Sequence, residues 1–126
     1  MERSELEAKY TQMVKDLFKP GTDILASLSP EKCVLLHAAI GISGEAGELL
    51  DAIKKHVMYN KKLDLENVIE ELGDLEFYLE AIRQVIHVTR EELLEGNCDK
   101  LLNKDKGRYS TGTYSDTQAQ QRADKQ

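Results

Sequence analysis

Two pairs of acids, each three residues apart, interrupt apolar stretches of this chain: Glu45 and Glu48 in GISGEAGELLDAIKKH, residues 41–56, and Glu71 and Asp74 in IEELGDLEFYLEAI, residues 69–82. At about 100° per residue along a helix, Val34, Ala38, Ile42, Leu49, Ala52 and His56 fall within roughly 60° of Glu45, and Glu48 lies at the edge of the same stripe. The same projection around Glu71 gathers Val68, Leu75, Tyr78, Ile82, Val85 and Ile86 within roughly 60°, with Asp74 again at the edge. Glu66, Glu70, Glu76 and Glu80 fall on the far side of that helix, where solubility is reason enough for them.

An isolated ionised carboxylate in an apolar interior costs several kcal/mol, and four facing one another repel or raise their pKa values. A cation between them removes both problems. Acids one turn apart on each of two helices can grip an ion from both sides. Oxygen-only ligands favour a hard cation, magnesium or its substitute manganese, whereas zinc would recruit cysteine or histidine. The Glu-x-x-His pairing of di-iron bundles and an EF-hand loop are both missing. The alternative for any one glutamate is a snorkelling or lysine-paired side chain; two matched pairs argue against it. Lys55 lies at the stripe edge on the Glu48 side and Lys54 points away from Glu45, so both are expected at the mouth of the cluster.

The elements that must position these acids are helices. Leu6, Tyr10, Met13, Val14 and Leu17 recur at helical spacing and stop before Pro20-Gly21. After a loop, Ser29-Pro30 has the form of an N-cap and first helical residue, opening a helix to about Met58. Asp64 caps a third, from about Leu65 to Val88, and Thr89 with Glu92 forms a capping box for a fourth that carries Leu93, Leu94 and Leu101. The expectation is an all-α, four-helix bundle. Residues 1–104 form the helical domain, and 105–126 a polar C-terminal tail that is either mobile or held by a partner or ligand.

Composition narrows the partners. The net charge of -6 disfavours a wide nucleic-acid surface, so a phosphate ligand needs local neutralisation by lysines or a metal. Cys33 and Cys98 have neither disulfide-framework nor metal spacing and are read as reduced thiols of a cytoplasmic protein. No stretch is expected to reach the roughly 18 apolar residues of a membrane span, and no signal region opens the chain. A chain of 126 residues buries only a modest core, so the stripes around Ile42, Leu49 and Ile53 and around Leu72, Leu75 and Leu79 call for a homodimer or homotetramer.

The segment IGISGEAGELLDAIKK at 40–55, followed by IEELGDLEFYLEAI and later by NCDKLLNKDKGRYSTGTYSD and QQRADK, resembles over roughly residues 30–126 the MazG-type all-alpha nucleoside triphosphate pyrophosphohydrolases, whose signature is ExxE, a spacer and ExxD. The resemblance implies hydrolysis of a nucleoside triphosphate to monophosphate and pyrophosphate, by water attack at the alpha-phosphorus with magnesium on the carboxylates. It implies Glu45 and Glu48 as metal ligands and water activators, with Glu71 and Asp74 completing the cage. Asn97, Lys100, Arg108 and Tyr109 match the family's substrate-binding elements, and Lys54 joins them as a phosphate candidate. The link between Lys100 and Arg108 is longer than usual, which leaves Lys100, Lys104 and Lys106 as alternatives for one phosphate contact. Tyr78 either stacks on a ligand or packs between helices. His56 either touches substrate or makes a hydrogen bond at its helix C-terminus. The competing class is a metal-stabilised binding module or a nucleotide sensor without turnover. No glycine-rich phosphate loop is present, so phosphate binding must rest on carboxylate-held metal and basic side chains.

Overall fold

Three side-chain caps form where the sequence places them. In a computed structural model, which describes residues 1–126, Ser29 Oγ accepts from the Lys32 N–H at 3.2 Å, Asp64 Oδ1 from Asn67 at 3.2 Å and Thr89 Oγ1 from Glu92 at 3.1 Å. Each satisfies an amide at a helix start that has no partner inside the helix. The elements are α1 (Arg3–Leu17), α2 (Gly21–Ser27), α3 (Pro30–Met58), α4 (Leu65–Ile86), α5 (Arg90–Leu102) and α6 (Asp116–Gln121), followed by a 3-10 turn, Ala123–Lys125. No strand occurs, and the fold is all-α. α4 ends two residues before the expected Val88, because His87 turns into the left-handed region at φ 58°.

The chain divides into two compact units, Met1–Cys33 and Val34–Gln126. In the first, α1 starts with the Glu2 N–H donating to Glu5 Oε2 at 3.4 Å and stops short of Pro20. α2 replaces the loop that the sequence suggested. Pro20 enters it with φ at -62°, and Lys32 Nζ closes its end by donating to the Ser27 carbonyl at 2.8 Å. Seven residues are too few for an apolar period to register in the sequence. Neither helix buries a residue.

In the second unit α3 and α4 approach closely through small residues. Ala38 and Ala52 are buried on α3, and a Cβ built on Gly41 would stand 2.5 Å from the Tyr78 ring, so a glycine is what lets the ring lie against the α3 backbone. The only buried polar residues, Glu71 and Arg83, are both on α4. No large side chain is fully buried, and Leu36, Ile40, Leu50, Val57, Ile69 and Phe77 are exposed. Against the sequence expectation, α3 is long and apolar enough by length and composition to cross a membrane, with only 6% of its most apolar window buried in this chain. A helix from the core of a soluble protein meets the same test, and α3 carries Glu45 and Glu48 on its apolar stripe.

The C-terminal segment makes its own ties to the end of α5. The N–H groups of Gly107, Arg108 and Tyr109 donate to the carbonyls of Asn103, Lys100 and Leu101 at 2.9, 3.0 and 2.8 Å. At Gly107 a Cβ would meet the backbone N and O of Asn103 at 2.5 Å, so the turn admits only glycine. Ser115 caps α6 by accepting from the Gln118 N–H at 3.3 Å. Arg108 then reaches Asp124, sixteen residues on, with two hydrogen bonds of 2.9 and 3.0 Å. A pair so distant in sequence leaves no periodic trace.

Candidate active site

α3 and α4 bring three of the four predicted acids together. One carboxylate oxygen from each of Glu45, Glu71 and Asp74 lies within 4.8 Å of the others. Glu71 is the buried member, 8% exposed, and Glu45 and Asp74 are half-buried. Glu48 stands outside the trio and is exposed, although Asp74, at the edge of the other stripe, is inside it. On α4 the spacing of three brings Glu71 and Asp74 into one cluster, whereas on α3 only Glu45 joins it.

Glu71 Oε2 is buried and has no hydrogen-bond donor. Its carboxyl is pushed up from 4.5 to about 7, first by hydrogen bonding to Glu45, then by burial and by the charges of Glu45, Asp74 and Glu48. Two carboxylates can share a hydrogen bond only if one holds a proton, so without a cation Glu71 holds that proton near neutrality. A buried acceptor with no donor, set among other acidic oxygens, is the environment that a hard cation completes. The donor set, all carboxylate oxygen, fits magnesium or manganese.

The basic residues divide. Lys55 Nζ pairs with Asp51 at 2.9 Å, and this bond holds the Asp51 carboxyl below its usual range and raises Lys55. Lys54 is exposed and makes no ion pair. Arg83, which sequence reasoning passed over, is 8% exposed and pairs along its own helix with Glu80 at 2.7 Å and Glu76 at 3.6 Å. Those two glutamates therefore do more than face water, and the spacing Glu76, Glu80, Arg83 was the available signal. Arg108 is one-fifth exposed and its partner Asp124 is 1% exposed, which holds the Asp124 carboxyl down at about 2 and raises Arg108.

Asn97 and Tyr109 line one cleft of about 320 Å³, whose remaining wall includes Leu101, Leu102 and Tyr114. The backbone bonds from Arg108 to Lys100 and from Tyr109 to Leu101 bring this end of α5 and the following turn together, so all four C-terminal residues singled out in the sequence are neighbours. Tyr114 was missed. Its ring lies 5.9 Å from that of Tyr109, centroid to centroid, and the only signal was that these two are the aromatics of a polar segment. Lys104 and Lys106 are exposed, and the Lys106 N–H donates to Asn103 Oδ1 at 3.0 Å.

Two residues that the sequence left open each have a partner within the chain. Tyr78 packs on Gly41, 6.1 Å from His37 and edge-on to Phe77 at 5.3 Å, which accounts for it as a packed aromatic. His56 Nδ1 lies 2.7 Å from the Lys61 carbonyl just beyond the end of α3, the hydrogen-bonded alternative.

A comparison with curated proteins and another with solved structures returned no match. A scan against family models matched the MazG nucleotide pyrophosphohydrolase domain over residues 36–109, a span that holds the whole acidic trio, α5 and the Arg108-Tyr109 step. With more than half its length matched, and on an all-α scaffold, this chain belongs to the MazG nucleotide pyrophosphohydrolase family.

Proposed function

We propose that the chain hydrolyses a nucleoside triphosphate, ribo or deoxy, to the monophosphate and pyrophosphate, with a divalent cation, magnesium or manganese, held by Glu45, Glu71 and Asp74 and approached by Glu48. The observation that carries this reading is the buried, donorless Glu71 Oε2 among acidic oxygens, inside a chain of a nucleotide pyrophosphohydrolase family. A divalent cation held by these residues would supply positive charge to phosphate oxygens and lower the pKa of a bound water.

The chain's own residues do the rest. Glu48, exposed and outside the trio, is free to accept a proton from the water that attacks the alpha-phosphorus, with Glu45 as the second candidate. Lys54, Lys100 and Arg108 hold the phosphates and neutralise the pyrophosphate as it leaves. Asn97 and Tyr109 present an amide and an aromatic face in one cleft, suited to the nucleoside end of the substrate. The exposed apolar residues of α3 and α4 support a homodimer or homotetramer, and two free, exposed thiols suit the cytoplasm.

Incubation of the protein with a panel of nucleoside triphosphates, magnesium and isotopically labelled water tests the reaction. Labelled monophosphate with intact pyrophosphate is expected. Orthophosphate with diphosphate, or label in pyrophosphate, contradicts attack at the alpha-phosphorus; binding without product makes the chain a nucleotide sensor. Light scattering at micromolar concentration checks assembly, and a monomer of 14.3 kDa contradicts it.

A further inference from the structure

The family match ends at Tyr109, yet the residue that fixes Arg108 lies fifteen positions beyond it, in the last turn of the chain. A guanidinium has five N–H donors in one plane. Asp124 takes two of them, Nε–H to Oδ1 at 2.9 Å and one Nη2–H to Oδ2 at 3.0 Å, which is the side-on edge of the fork. Three donors remain, both on Nη1 and the second on Nη2; one from each of these nitrogens lies along the end-on edge, and the Tyr109 hydroxyl also stands within hydrogen-bonding reach of the guanidinium. Burial is unequal: the Asp124 side chain is 1% exposed and the Arg108 side chain one-fifth exposed. The plane is thus set by Asp124, which leaves the end-on donors unused by that carboxylate. Arg122, 3.8 Å from the same Asp124 oxygen and about half exposed, offsets part of the negative charge behind Arg108.

We propose that Asp124 is a positioning residue for substrate phosphate binding: it holds Arg108 side-on, so that the end-on edge of the guanidinium meets a phosphate of the nucleoside triphosphate. This rests on the reading of Arg108 as a phosphate contact. The consequence is that Asp124, outside the span matched by the family model, belongs to the site. A pre-oriented guanidinium loses less rotamer freedom on binding than a free one, so the effect falls on substrate affinity more than on the chemical step.

The test compares R108A, D124N and the double variant in steady-state assays with magnesium and the triphosphate that the panel finds best. D124N keeps shape but accepts through one oxygen only. D124N is expected to raise KM roughly tenfold with kcat within about twofold, D124E to recover part of the loss, and the double variant to be no worse than R108A alone. If R108A leaves KM unchanged, the phosphate reading of Arg108 falls and the proposal falls with it. If R108A raises KM while D124N does not, the positioning role alone is overturned. Should D124N lose its helical signal, nitrogen-15 spectra of the wild-type chain decide the matter. The Arg108 Nε–H resonance is expected to be protected and to remain so on adding magnesium and a triphosphate with a non-hydrolysable alpha-beta bridge. Loss of that protection would show that substrate pulls Arg108 away from Asp124, and would overturn the proposal.

Discussion

The acidic trio between α3 and α4 and the Arg108–Asp124 clamp after α5 both remove a carboxylate from water, with opposite results. Glu71 faces acids and is pushed up to about 7; Asp124 faces a guanidinium and is held at about 2. Burial is similar in kind, so the sign of the neighbour decides. A carboxylate with its cation in the chain is a finished interaction. One whose neighbours are all acids is completed only by a proton or an ion from outside, so the trio calls for a cation, whereas Asp124 is already neutralised and leaves to a ligand only the guanidinium donors it does not use.

The largest expected effect breaks the first half of that contrast. Glu71→Ala or Asp74→Ala should lower magnesium-dependent turnover by on the order of 10²–10³-fold, while circular dichroism shows the helices retained, because losing one acid relieves repulsion in the metal-free protein. Activity near wild type in both variants would mean that the trio is only a solvated acidic patch. Chelation of the metal should mimic the substitutions in wild type and add nothing to them.

Next in size is Gly107→Ala, aimed at the clamp through its turn. A Cβ there meets the Asn103 backbone, which cannot yield as a flexible side chain could, so a loss of about 1–3 kcal/mol in stability is expected from a forced contact of this kind. Thermal unfolding followed by circular dichroism measures it, and an unchanged midpoint would show that residues 103–109 are not locked as described.

The smallest effects are in pH dependence, and they sharpen the comparison because the two regions move in opposite directions. A group whose folded pKa is raised binds its proton more tightly when folded. The Glu71 contribution to metal-free stability is therefore fully present below pH 4.5 and is lost as pH rises through about 7. Asp124 is the reverse: its contribution is present above pH 3.8 and is lost as pH falls through about 2. Denaturant midpoints of the metal-free wild type should fall between pH 4.5 and 7, and Glu71→Gln should flatten that limb. Asp124→Asn should flatten the acid limb and leave the neutral one. A neutral limb unaltered in Glu71→Gln would show that Glu71 carries no proton held by its neighbours.

What the residues announced depends on range. Helix starts at Ser29, Asp64 and Thr89 were legible because a cap is a bond across three residues, and the acidic stripes because a helix repeats within a turn or two. α2 was not, being shorter than two full turns of pattern. The lysine and arginine roles were legible only as a set. That Lys55 is taken by Asp51 was legible as a pair four apart on one helix, whereas that Arg108 is taken by Asp124 follows only from where distant side chains meet.

By itself the sequence determined an all-α chain with four acids on two apolar stripes, since periodicity and capping act within one helix. Only tertiary structure decided which acid is buried without a donor, that Tyr78 lies on Gly41, and that the polar C-terminal segment is fastened by a carboxylate sixteen residues from its arginine. The physical reason is one of distance along the chain. Contacts within a helical turn are imposed by backbone geometry, whereas the electrostatic fate of a carboxylate depends on which element the fold sets opposite it.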